Sequence, residues 1–226
     1  MNWIPVLWNL SDARGELTML LARVQHAVFG EIVSEELKYC EELAATENRE
    51  RPLTEGRLLL AMNDIYKHLN RAWNGRNAST KTVLRRERTD VSRWARFPTH
   101  STFADLRQPL RFRRRKPPRV AWKGQINPKA IHPFLQYALR KLDILCLLVE
   151  YHHGAKERPQ PERSAGLFAH VAKIPLSEAV LGRRLHRIYA ELNYAWAIRK
   201  PNCPRGSKVS RQTLRRRDRF PRVFPQ

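Results

Sequence analysis

Leu53–Trp73 reads LTEGRLLLAMNDIYKHLNRAW, and Leu176–Trp196 reads LSEAVLGRRLHRIYAELNYAW. Laid over one another without a gap, at an offset of 123, the two stretches agree at nine of 21 positions. The identities are Leu53/Leu176, Glu55/Glu178, Leu58/Leu181, Ile65/Ile188, Tyr66/Tyr189, Leu69/Leu192, Asn70/Asn193, Ala72/Ala195 and Trp73/Trp196. The apolar ones recur at helical spacing, which predicts one amphipathic helix per copy with a single buried stripe. In the first copy the stripe is Leu58, Met62, Ile65, Leu69 and Trp73 or Ala72; in the second it is Leu181, Ile188, Leu192, Ala195 and Trp196. Thr54 and Ser177 stand where a hydroxyl caps a helix start, and Gly75 with Asn77, or Pro201 to Pro204, supply the stops.

Ahead of each copy a longer helix is expected. After an apolar segment bearing Trp3 and Trp8, Ser11 and Asp12 are read as the cap of a helix reaching about Thr46. Leu17, Leu20, Leu21, Val24, Ala27, Val28, Ile32 and Leu37 are its stripe, and Asn48 to Pro52 break it. A second long helix, about Ile131 to His153, holds the same place before the second copy. Residues 79–130 show no long period, with a short strand at most over Val120 to Ile126. Gly154 to Ser164 reads as a polar loop and Ala165 to Ala172 as a short helix. The expected fold is all-α: two internally repeated helical-hairpin units around a pseudo-two-fold core, with basic irregular extensions. Along the chain this gives 1–80 as a first helical unit and 81–127 as a basic, aromatic-rich arm. A second helical unit, 128–199, and a basic C-terminal arm, 200–226, follow.

The arms repeat as well. Thr82–Arg88 (TVLRRER) is echoed by Thr213–Arg219 (TLRRRDR), and Arg96-Phe97-Pro98 by Arg219-Phe220-Pro221. Net charge is +22 and unevenly placed. Residues 1–65 carry 6 Lys/Arg against 11 Asp/Glu, whereas 66–226 carry 37 against 10. The blocks 81–130 (15 basic, 3 acidic) and 199–226 (10 basic, 1 acidic) hold most of the excess. Such fields attract polyanions, of which nucleic acid is the commonest. Prolines interrupt both blocks and no amphipathic period runs through them, which disfavours an anionic membrane. Arginine makes up 32 of the 43 cations, and its planar fork suits phosphate and stacks on bases.

Nucleic-acid contacts are therefore expected at Arg85, Arg86, Arg88, Arg93, Trp94 and Arg96 in the first arm. Arg111, Arg113, Arg114, Arg115 and Lys116 form a denser tract between the halves, and Arg215, Arg216, Arg217, Arg219 and Arg222 the terminal one. Cations alternating with Trp94, Phe97, Phe220 and Phe224 favour RNA or single strands, whose bases are free to stack, over duplex DNA. Tyr66 with Asn70, and Tyr189 with Asn193, lie four residues apart on one helix face. They are read either as base-stacking and phosphate contacts or as packing at a rim with Asn on a loop carbonyl.

Catalytic signals are sparse. There is no Walker lysine loop, G-x-G-x-x-G, H-E-x-x-H or C-x-x-C, so no cofactor and no metal site is expected. The enzyme reading that survives is a metal-independent RNA endonuclease using His132, His152, His153, His186 or Tyr189. A third reading is an assembly scaffold acting through the acidic N-terminal helix, with other protein subunits as partners. Cys40, Cys146 and Cys203 are few and scattered, which fits a reducing compartment. Met1–Leu10 lacks a basic leader, and Arg140, Lys141 and Asp143 interrupt the greasiest run, so a cytoplasmic protein with no membrane partner is expected.

Overall fold

A computed structural model describes residues 2–30, 53–79, 124–153 and 176–199. They form four helices: α1 (Trp3–Phe29), α2 (Glu55–Asn74), α3 (Pro128–His153) and α4 (Glu178–Ala197). Among the described residues there is no strand, so the fold is all-α. Of the expected short strand over Val120–Ile126, residues 120–123 lie outside the described residues, and in the rest Gln125 makes a single antiparallel bridge with Thr54.

Each helix begins on a side-chain cap. Asn2 Oδ1 accepts from Ile4 N (3.2 Å) and Asn127 Oδ1 from Ala130 N (3.1 Å). Thr54 Oγ1 and Ser177 Oγ accept from Arg57 N and Val180 N, both at 3.3 Å, as their positions in the sequence predict. Pro128 then occupies the first helical position of α3, where a missing N–H costs nothing.

Helix α1 departs from the reading at both ends. It starts at Trp3 instead of Ser11, because Asn2 caps it and Val6 and Leu10 already extend the buried stripe. Ser11 and Asp12 are exposed residues within it. It stops at Phe29, where Gly30 takes φ +79° and its N–H returns to the His26 carbonyl (2.9 Å). This left-handed cap satisfies a terminal carbonyl and suits a residue without Cβ. Of the expected stripe, Leu17, Leu20, Leu21 and Val24 are buried, whereas Ala27 is exposed; Ile32 and Leu37 lie outside the described residues. Gly30→Ala should therefore cost about 1 kcal/mol, read as a lowered urea midpoint, since a Cβ is disfavoured at positive φ. An unchanged midpoint would mean that the left-handed cap is not what ends α1.

The helices contribute to two compact units, and these do not follow the two halves of the sequence. One unit takes α1 up to Arg14, α2 from Tyr66, α3 from Arg140 and α4 up to Arg187. Its core is Val6, Leu10, Ala13, Tyr66, Leu69, Ala72, Trp73, Leu142, Leu145, Cys146, Leu148, Val149, Leu181 and Leu185. The other takes α1 from Gly15, α2 up to Ile65, α3 up to Leu139 and α4 from Ile188. Leu17, Leu20, Leu21, Val24, Leu58, Leu59, Met62, Ile65, Ile131, Leu135, Ala138, Ile188, Tyr189, Leu192, Ala195 and Trp196 are buried there. Every apolar identity of the repeated stripe is in one of these cores, which is why those positions agree between the copies. No helix among the described residues is long and apolar enough to cross a membrane.

Candidate functional site

Three residues beyond each repeated tryptophan stands an arginine, Arg76 or Arg199, and each anchors a node of the same composition. In the second unit, Arg199 Nη2 and Nε donate to Glu55 Oε1 at 2.6 and 2.9 Å. Its Nη1 donates to the Trp196 carbonyl (2.6 Å), and its guanidinium carbon sits 3.7 Å from the Trp196 ring centroid. The Arg199 carbonyl in turn accepts from Asn127 N (2.7 Å), the residue that caps α3. Glu55 N donates to the Gly124 carbonyl (2.8 Å), so both strands of chain entering this corner are pinned.

The first unit holds the counterpart. Arg76 Nη2 donates to Glu178 Oε1 (2.5 Å) and Nη1 to the Trp73 carbonyl (2.7 Å), with the guanidinium 3.9 Å from the Trp73 ring. Asn2 N donates to the Arg76 carbonyl (2.7 Å), and Asn2 Nδ2 to Ala78 O (3.0 Å). Thus Glu55 of the first copy pairs with an arginine of the second, and Glu178 of the second with an arginine of the first. The nodes differ in burial. The side chains of Arg199 and Glu55 are 2% and 5% exposed, whereas those of Arg76 and Glu178 are 16% and 39% exposed. An ion pair this buried gains little net stability over an apolar pair, but it leaves a large penalty if one partner is removed. Its clearest effect is on geometry: it fixes where the chain leaves α4, one residue before the basic terminal segment.

Neither arginine was singled out by the sequence reading. The signal was available, because extending the gap-free alignment by three residues pairs Arg76 with Arg199.

The arm residues, Arg85, Arg86, Arg88, Arg93, Trp94, Arg96, Arg111, Arg113, Arg114, Arg115, Lys116, Arg215, Arg216, Arg217, Arg219 and Arg222, lie outside the described residues. Of the helical candidates, Tyr66 is 4% and Tyr189 0% exposed, and burial pushes the Tyr189 hydroxyl well above its ordinary pKa. Neither ring offers a face to a base in this conformation; both fill the cores and do not lie at a rim. Asn70 is buried too, whereas Asn193 is half-exposed.

The candidate histidines lie on α3 and α4. His132 is half-buried near the start of α3, edge-on to Phe29 (5.7 Å between centroids), and burial lowers its pKa. His152 and His153 end α3, with His152 edge-on to Tyr151, and His186 lies on α4. His68 approaches Asp12 (3.4 Å). No group of three or more His, Cys, Asp or Glu side chains among the described residues is placed to hold a metal ion. The Cys146 thiol is buried, which pushes its pKa up to about 12 and keeps it unreactive. Comparison with protein-family models, with curated proteins and with solved structures gives no match.

Proposed function

We infer that this protein binds nucleic acid without chemically altering it, using arginine–aromatic arms delivered from a nearly neutral helical body. The observation that carries the reading is where the charge lies. The chain has 43 Lys/Arg and 21 Asp/Glu, of which the described residues hold only 13 and 8. The remaining +17 of the +22 belongs to the other segments, which include both repeated arginine tracts. A general need for solubility would spread cations over helix surfaces, not collect them beside Trp94, Phe97, Phe220 and Phe224. Each tract also follows a node that ties the departing backbone to a helix cap, Asn2 or Asn127. A fixed root lowers the ordering cost of a basic segment that meets its partner.

RNA or single-stranded nucleic acid is the preferred ligand, because stacking between rings and guanidinium planes needs unpaired bases. The setting is a larger nucleoprotein assembly, with the acidic stretch before residue 65 available to protein subunits. The same reading treats the two copies as related by a pseudo-two-fold. The reciprocal pairing Glu55–Arg199 and Glu178–Arg76 supports it, since a two-fold relation makes each contact occur once in each direction.

Fluorescence anisotropy with a short labelled single-stranded RNA tests the reading. Neutralising Arg85, Arg86 and Arg88 together should weaken binding roughly tenfold or more, and neutralising Arg215, Arg216 and Arg217 by a similar factor. Absence of binding by the unaltered chain at about 50 mM salt would overturn the function. Binding that ignores both clusters would remove the arms from it.

A further inference from the structure

The identities between the two Trp-ended helices are mostly buried, and the helices differ in charge over one face. Positions Leu60, Ala61 and Asp64 of α2 align with Arg183, Arg184 and Arg187 of α4. In α2 this face is apolar and acidic, with Leu60 52% exposed. In α4 it is wholly cationic. Arg183 and Arg187 are exposed and one turn apart, and half-buried Arg184 adjoins Arg187 three residues on. None of the three has a hydrogen bond or ion pair among the described residues, although Glu178 pairs with Arg76 and Asp12 approaches His68 in the same unit. Burial and the neighbouring Arg187 charge both lower the Arg184 pKa, so the cations repel.

The charge of the described residues is concentrated in this unit. It carries nine Lys/Arg against four Asp/Glu, while the other carries four against four. A solvated helix face ordinarily alternates sign along its length, which relieves repulsion at no cost. Between Glu178 and Glu191, α4 has no acid at all. Three arginines with no ion pair among the described residues, within little more than one turn, present several planar donor forks to neighbouring phosphate oxygens.

We propose that Arg183, Arg184 and Arg187 form a phosphate-binding patch on the folded body, along which the backbone of the bound nucleic acid is laid. The proposal rests on the nucleic-acid reading above and extends it from the arms to a structured surface. It assigns different work to the two copies: shared positions build the cores, and the diverged face of α4 receives the ligand.

The test uses the full chain, a labelled single-stranded RNA and a salt series between about 50 and 200 mM. Arg183→Gln/Arg184→Gln/Arg187→Gln should bind roughly tenfold to a hundredfold more weakly at the low-salt end. Its slope of log affinity against log salt should fall by about two, as expected when some three phosphate contacts are lost. Arg183→Gln/Arg187→Gln, which alters exposed side chains only, should show a smaller loss in the same direction and serves if the triple variant does not fold. An unaltered chain that binds, with variants of equal affinity and slope, overturns the patch and leaves the arms standing. An unaltered chain that does not bind overturns the function beneath it. Loss of binding to phosphatidylserine vesicles with RNA affinity intact overturns the patch as a nucleic-acid site.

Discussion

Glu55→Ala should destabilise the folded chain by about 3–5 kcal/mol, because it removes one partner of a buried ion pair. Three facts set the size of the effect. Arg199 is 2% exposed, two of its nitrogens bond one Glu55 oxygen, and the guanidinium also meets the Trp196 carbonyl and ring. Removal of the carboxylate takes the Glu55 half of the ion pair from a cation that has almost no access to water. Glu178→Ala removes the equivalent group from a node open to solvent, where water replaces it, and should cost about 1 kcal/mol. Replacing Glu55 and Arg199 together by methionine should restore much of the loss, since a buried pair is worth little against apolar packing. Urea unfolding followed by circular dichroism reads all three. Equal midpoints for Glu55→Ala and Glu178→Ala would show that burial does not distinguish the nodes.

Those nodes also mark the limit of what the sequence disclosed. The α2 and α4 boundaries were legible because Thr54 and Ser177 precede clean helical stripes, and all the stripe positions are buried. The start of α1 was misplaced because Ser11 and Asp12 give as strong a capping signal as Asn2, and only tertiary contacts choose between them. Asn2 wins because its backbone and side chain also satisfy the Arg76 and Ala78 carbonyls, far along the chain. Arg76 and Arg199 were hidden by composition: in a chain with 32 arginines, one more reads as surplus charge. Their burial depends on glutamates 102 and 144 residues away, a pairing no local pattern encodes. Tyr66 and Tyr189 show the converse. A repeated tyrosine suggests a surface role, yet a phenol ring packs as readily as a phenyl one, and these two are interior.

Trp73→Ala should cost about 3–5 kcal/mol, the usual range for emptying a large aromatic site in a core. The site has an unusual complement. A Cβ built on Gly182 would lie 3.2 Å from two atoms of the Trp73 ring, so α4 presents bare backbone there to make room for the indole. The ring cannot easily retreat, since the Arg76 guanidinium, itself tied to Glu178, covers it at 3.9 Å. Gly182→Leu alone should then destabilise by about 1–3 kcal/mol through overpacking, despite leucine's better helix propensity. Combined, the two substitutions should cost clearly less than their sum, because leucine at 182 occupies volume that the indole vacates. At the aligned position of α2 stands Leu59, which is buried, so leucine is accepted at this register in the other copy. A double-mutant cycle by urea unfolding measures the coupling. Strict additivity would separate Gly182 from Trp73 and leave the glycine without a packing role.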